Sequence, residues 1–307
     1  MRLLSFDVGV KNLSGCLLEY SDASEAEAKV IIEWWGIVSL LDENPAVNSV
    51  CGCTLANGSL CGKPAKWTAA ANDGDAFYCT RHKDKHAQEE LLILPQSPPG
   101  ECATCKKTAK YKVGGSGDLL CAAHKKSALT AHKRATQLVA IKAARCCDQT
   151  VDTTKLNLWK RLDALPALLA ADIVLIENQP ALKNPTMKAV AETLYSYWLC
   201  RGIVDKERTH STIGAVKYVS ASNKLKIVPN SQIALKGLTG AAKYKRTKEL
   251  SIAHVATLLK EDDVGLAFFS AHRKKDDLSD AILQAAAYLV MTCNVETINQ
   301  AQYRPSS

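Results

Sequence analysis

Apolar and polar positions divide the 307-residue chain into two kinds of territory. The first run, Leu3-Leu4-Ser5-Phe6-Asp7-Val8, has little polar alternation, as expected of a strand covered on both faces. Residues 13–20 and 30–40 predict two further strands. Gly9, Asn12 and Ser21 between them suit the turns of an antiparallel meander. Beyond Asn44-Pro45 the apolar periodicity stops. From Cys51 to about His124 the chain is rich in Cys, Gly, Lys and His, and the Pro-rich stretch 94–100 divides this region in two as a connector.

Helical periodicity returns at residues 127–147 and 156–171, and residues 172–177 (DIVLIE) predict another buried strand. Asn184 as N-cap and Pro185 at the first helical position open a helix with Met187, Val190, Ala191, Leu194 and Trp198 on one face. Residues 214–219 and 225–228 predict strands, and 241–260 a basic amphipathic helix. Residues 276–291 predict a helix with a buried stripe of Leu278, Ala281, Ile282, Ala285 and Leu289. The tail after Asn294 is polar and is expected to fray. The alternation predicts an α/β core formed by residues 1–48 and 126–307, interrupted by a small module at 49–125.

Composition bounds what such a chain does. Hydrophobic residues make up 47 %, enough for a sizeable core. The longest apolar stretch, near 165–176, is broken by Asp172 and is too short to span a bilayer. Asp7 interrupts the place where the apolar centre of a secretory signal would run, so the expectation is an intracellular protein without a membrane partner. The net charge is +8, and residues 201–248 hold eleven Lys and Arg against two acids. The rest of the chain is close to neutral, so the basic region suits a polyanion.

Twelve cysteines in an intracellular chain suggest metal before disulfides. Cys102-x2-Cys105 followed by Cys121-x2-His124 has the donor types and spacing of tetrahedral zinc. Cys53, Cys61, Cys79 and His82 form a similar set upstream, with Cys51 an alternative to Cys53. The module therefore reads as an imperfect repeat with two structural zinc ions.

Four carboxylates occupy distinctive places. Asp7 and Glu177 end apolar strands, while Asp277 and Asp280, three apart, share one face near the start of the last helix, with Gln284 a turn further on. Each alone suits a turn or a helix N-terminus. Together they read as oxygen donors able to hold two divalent ions for phosphodiester hydrolysis.

The order strand–Asp7, Ile-Glu177-Asn-Gln179, helix, then Lys274-Lys275-Asp276-Asp277-Leu278-Ser279-Asp280 resembles the RuvC-like Holliday junction resolvases, above all those of poxviruses and other large DNA viruses. The resemblance covers roughly residues 1–45 and 150–292. It implies an RNase H-like fold, a mixed five-stranded sheet flanked by helices, with the zinc module as an insertion foreign to the family's compact pattern. It also implies a homodimer that cuts four-way DNA junctions, with two Mg²⁺ or Mn²⁺ ions on Asp7, Glu177, Asp277 and Asp280. Asp276 rivals Asp277. Gln179 would stand beside the DNA, and the helix after the Glu177 strand, through Leu194, Tyr197 and Trp198, would form the dimer face. A viral member would work in the host cytoplasm or a replication factory, with nucleus and mitochondrion left open.

Lys243, Lys245, Arg246 and Lys248 surround Tyr244, and Lys224 and Lys226 lie nearby; these cations suit contacts to the DNA backbone. An RNase H or transposon-type nuclease of the same fold is the alternative, as is a zinc adaptor that binds DNA without cutting it. A kinase-like ATPase also begins with strand–Asp–x–Gly, but the chain lacks further glycine-rich phosphate loops.

Overall fold

The computed structural model describes residues 1–21, 28–42, 44–69, 76–85, 91–180, 184–293 and 295–304. They form two compact units, residues 1–42 with 145–307 and residues 43–144. In chain order the strands are β1 (Arg2–Asp7), β2 (Leu13–Tyr20), β3 (Ala28–Val38), β4 (Trp67–Ala69), β5 (Phe77–Tyr78), β6 (Ile93–Glu101), β7 (Thr108–Val113), β8 (Leu119–Leu120), β9 (Leu138–Ala140), β10 (Ile173–Glu177), β11 (Ala215–Val219) and β12 (Ile298–Tyr303). The helices are α1 (Ala122–Thr136), α2 (Val151–Asp163), α3 (Pro185–Trp198), α4 (Lys206–Thr209), α5 (Ser231–Ala234), α6 (Gly240–Leu258), α7 (Asp263–Ala271) and α8 (Lys275–Thr292).

The first unit is a mixed α/β structure around a sheet in the order β11-β10-β1-β2-β3-β12. β1, β2 and β3 form the antiparallel meander, while β10 and β11 run parallel to β1. Side chains alternate across a strand, so Leu3, Ser5 and Asp7 share one face of β1, and Ile173, Leu175 and Glu177 share one face of β10. α8 packs on that face: Leu278, Ala281, Ile282, Ala285 and Leu289 are all buried in one cluster with Leu3 and Leu175. On the other face Phe6 stacks on Trp198 of α3, with ring centroids 5.8 Å apart.

α8 is fixed in register by three polar side chains. The buried Gln284 amide donates to Ser5 Oγ at 3.0 Å, Phe6 O at 3.1 Å and Leu175 O at 3.3 Å. Ser14 Oγ donates to Asp277 O at 2.7 Å, and Trp35 Nε1 donates to Leu278 O at 3.1 Å. Gly9 is required by closeness rather than by a positive φ, because a Cβ there would collide with the Asn12 carbonyl across the β1–β2 turn.

Several sequence expectations change. The tail does not fray: β12 adds a sixth strand parallel to β3, with Ile298 and Ala301 buried. Its inward residues are too few, and its outward Asn and Gln too polar, to signal a strand. Residues 225–228 are not a strand. Ser220 caps a 3₁₀ turn over Ala221–Ile227 that carries them. Leu194, Tyr197 and Trp198 cannot form a dimer face, because they are packed inside at 0 %, 2 % and 0 % exposure. Tyr197 is held there by an edge contact to Trp159 and a hydrogen bond to Asp163 at 3.0 Å.

The second unit extends beyond the expected 49–125. α1 starts at Ala122 and ends at Thr136 instead of running to 147, and the following β9 pairs with β4. The unit holds two small sheets, β5-β4-β9 and β6-β7-β8. The stretch expected as a connector is strand β6, paired with β7 on both sides of an irregularity between Pro95 and Gly100. No helix among the described residues is long and apolar enough to cross a membrane.

Removal of β12 tests its place in the sheet. Burial of Ile298 alone contributes ~1.5–3 kcal/mol. A chain ending at Thr292 should therefore melt roughly 5 °C lower in calorimetry and aggregate through the bared β3 edge. An unchanged melting temperature would contradict the pairing.

Candidate functional site

The strand parity of the fold brings the acids to one place. Asp7 and Glu177 end the parallel neighbours β1 and β10 on the face that α8 covers, and the first two turns of α8 present Asp277 and Asp280 to the same ends. All four line a cleft of about 360 Å³ together with Gln179, Lys224, Tyr244 and Lys248. Asp276 is separated from them by its own ion pair with Lys248. Asp277 Oδ2 is buried without a hydrogen-bond donor, and its nearest cation, Lys274, is 4.0 Å away.

Lys224 is the residue whose place differs most from the expectation. Expected among cations facing DNA, it is instead buried at 5 % exposure. Its ammonium lies 2.9 Å from Asp7 Oδ1, 2.6 Å from Glu177 Oε2 and 3.6 Å from Asp280 Oδ2. The 3₁₀ turn that replaces the expected strand carries it inward. Burial by itself would lower its pKa, but Asp7, Asp280 and Glu177 hold it above the usual lysine value. Nothing in the local sequence separates it from its exposed neighbour Lys226; only the acids around it do.

The carboxylates respond to burial and to each other. Burial, then the hydrogen bond with Asp7, pushes Glu177 up to about 8. Burial raises Asp7 as well, but Lys224 and the shared hydrogen bond with Glu177 bring it below the ordinary value. Burial lifts Asp280 to about 6 and raises Asp277. The donors are all hard oxygens, and one is an orphaned buried carboxylate atom. This set fits Mg²⁺ or Mn²⁺, whose shells take a few carboxylates and are completed by water and phosphate.

The remaining expected cations differ in their surroundings. Lys226, Lys243 and Lys245 are exposed. Arg246 pairs with Glu249 at 3.1 Å. Lys248, besides its pair with Asp276, lies over the Tyr244 ring at 4.8 Å from the centroid. Gln179 donates to Glu177 Oε1 at 3.3 Å.

The second unit gathers two Cys₃His groups whose ligand atoms lie within 4.8 Å of one another, and both can hold zinc. One is Cys102, Cys105, Cys121 and His124, as expected. The Cys102 thiol is brought down to about 5, first by the Cys121 backbone N–H and then by those of Cys105 and Thr104. That is the thiolate form a metal takes.

The other group is Cys51, Cys61, Cys79 and His82, with Cys51 in the place expected for Cys53. Cys51 N donates to Lys63 O and Gly62 N donates to Cys51 O, which draws the buried Cys51 against the Cys61 loop. Its Sγ is 3.4 Å from His82 Nδ1. Burial raises the Cys51 thiol, but N–H groups of Cys53 and Cys79, with His82, bring it down to about 6.

No protein-family model matches the chain. It is 34 % identical over an alignment 311 positions long to the uncharacterized protein L451 of Acanthamoeba polyphaga mimivirus, across 94 % of this chain and 74 % of that protein. Among solved structures, the yeast mitochondrial Holliday junction resolvase Ydc2 aligns at a TM-score of 0.41 and 12 % identity, over 96 % of this chain and 82 % of its own. Thermus thermophilus RuvC aligns at 0.36 and 10 %, over 95 % and 96 %. Likeness that loose decides nothing about this chain.

Two measurements check the site. A Cys51→Ser variant should bind one zinc equivalent fewer than wild type by metal analysis, and Cys53→Ser should keep both. Equal losses would refute the assignment. Replacing Lys224 by Met leaves three partly buried carboxylates without their buried cation. Removing one partner of a buried ion pair costs ~3–5 kcal/mol, a drop that urea unfolding in metal-free buffer should register.

Proposed function

The chain belongs to the family of mimivirus protein L451, and we propose that it is a metal-dependent DNA endonuclease that resolves four-way junctions. The observation that carries this reading is the convergence of Asp7, Glu177, Asp277 and Asp280 on one cleft that Lys224 and Lys248 also line. Asp7 and Glu177 would anchor two Mg²⁺ ions, with Asp277 and Asp280 completing the shell. When bound, such ions make water a nucleophile at neutral pH and stabilise the departing oxygen of a phosphodiester.

The chain's own groups do the rest. Lys226, Lys243 and Lys245 contact backbone phosphates and position the strand without reading its sequence. Tyr244, 64 % exposed at the rim of the cleft, offers a ring face to a splayed base. Lys248 holds Asp276 away from the other acids, so that Asp277 faces the cleft. Gln179 orients the Glu177 carboxylate through its amide. Burial keeps bulk water from screening these charges. Paired cuts across a junction call for two such clefts, which a homodimer supplies.

Cleavage of a synthetic four-way junction with Mg²⁺ tests the reading. Asp7→Asn and Glu177→Gln should each cut about a thousandfold more slowly, the several kcal/mol that metal-assisted chemistry supplies, while still binding the junction. Cleavage by both variants at the wild-type rate would sink the site. Preference for an RNA–DNA hybrid would favour the RNase H-type alternative over a resolvase.

A further inference from the structure

Helix α1 of the second unit is unlike every other long helix in the chain. Over its fifteen residues it has no buried side chain and no acid, and it carries Lys125, Lys126, Lys133 and Arg134. A helix that is polar all round normally owes its stability to many opposite-charge pairs or to a partner. α1 has no acid with which to build such pairs. The unit asks only its first turn for a side chain, His124 of the Cys₃His group; the nearby core is otherwise Cys102, Ala109 and Cys121 with Cys105 and Leu119 against them, a cluster of zinc-type ligands and small apolar groups.

Helix electrostatics explain only half of the charge. Lys133 and Arg134 in the last turn suit the negative end of the helix dipole. Lys125 and Lys126 lie near the positive end, where cations are unfavourable. Something other than helix stability places them there. Lys125 is held against Tyr111 of β7, its Nζ 4.0 Å from the ring centroid. Lys126 and Lys133, seven residues apart, return to one face about 10.5 Å apart along the axis, with Arg134 beside them. The surroundings strengthen the field: residues 102–136 contain eight Lys and Arg, Lys112 among them, and one acid, Asp118.

We infer that α1 is a second DNA-binding element, which lays Lys126, Lys133 and Arg134 against the phosphates of duplex DNA. The partner follows from the chemistry: three cations on an exposed helix without an acid of its own match a regularly charged rod, and the major groove of B-DNA admits an α-helix. The inference rests on the DNA-nuclease reading for its substrate and adds a binding surface separate from the cleft. It assigns the zinc module to holding duplex arms, while zinc supplies the rigidity that a small apolar core does not.

The test is fluorescence anisotropy of full-length, zinc-loaded protein with a labelled four-way junction and with a plain duplex, over a range of salt and without added Mg²⁺. Each phosphate that is no longer neutralised lowers the slope of log K against log salt by about 0.9. The triple variant Lys126→Ala, Lys133→Ala, Arg134→Ala should therefore have a slope about 2 to 3 units shallower on both DNAs and keep two zinc equivalents. A control triple on α2, Lys155→Ala, Lys160→Ala, Arg161→Ala, should leave the slope unchanged. A wild-type slope in the α1 variant, with zinc content intact, overturns the inference. Binding through α1 by a protein that cuts no DNA would refute the nuclease reading alone, because Asp7→Asn leaves α1 untouched.

Discussion

The candidate site depends on one buried amide. Gln284 sits at 3 % exposure where α8 crosses β1 and β10, and its Nε2 serves acceptors on both strands. A buried amide deprived of those partners would carry a desolvation cost of ~1–3 kcal/mol, so the helix cannot slide or rotate freely on the sheet. Asp280 and Asp277 lie one and two turns from Gln284 toward the helix start. Their place over the strand ends is therefore set by the same amide, reinforced by Ser14 and Trp35 at the first turn. Apolar packing alone would hold α8 against the sheet without choosing among neighbouring registers; the amide makes the choice.

Once the acids are fixed there, electrostatics dictates what else must be present. Four carboxylates in a sheltered cleft repel one another, and burial penalises each charge. Lys224 answers three of them at once, and Lys248 answers Asp276. Glu177, the acid raised to about 8, is the one that also hydrogen-bonds Asp7. Such a cluster is unlike a solvated acidic surface, where separated charges need no internal cation. Its fit to divalent ions follows from this surplus of oxygen donors, because an ion can replace protons and relieve repulsion together.

The parts legible in sequence were those governed by local runs and periods. The bounds of β1 and β2, the stripe of α8 and the caps of α3 follow from short apolar runs between turn residues, a 3.6-residue repeat and Asn184-Pro185. The four acids could be singled out because each sits where a strand ends or a helix begins. What stayed hidden depended on partners distant in the chain. Lys224 and Lys226 are indistinguishable until a 3₁₀ turn buries one of them. β12 shows little apolar character because β3 supplies its pairing. Cys51 rather than Cys53 joins the group because its buried thiol reaches His82 at 3.4 Å, which spacing does not reveal. α7 escaped notice because its nine residues are too few for a clear stripe, although Phe269 stacks on Trp35 at 5.3 Å.

The same pairing of charges bears on how the chain would hold a polyanion. A count of lysines near the cleft exaggerates its attraction, since Lys224, Lys248 and Arg246 are each answered by carboxylates of the chain itself. Part of the cationic excess of residues 201–248 is thus neutralised by acids that lie outside that interval, at Asp7, Glu177, Asp276 and Asp280. A site built to concentrate negative oxygens cannot also be the main source of attraction for phosphate. Any polyanion the chain binds would draw on cations left unanswered by its acids, and the second unit, whose Cys₃His groups can hold zinc, carries such cations on α1. Beyond His124 in its first turn, α1 gives that unit no buried side chain, so Lys126, Lys133 and Arg134 are left on its surface.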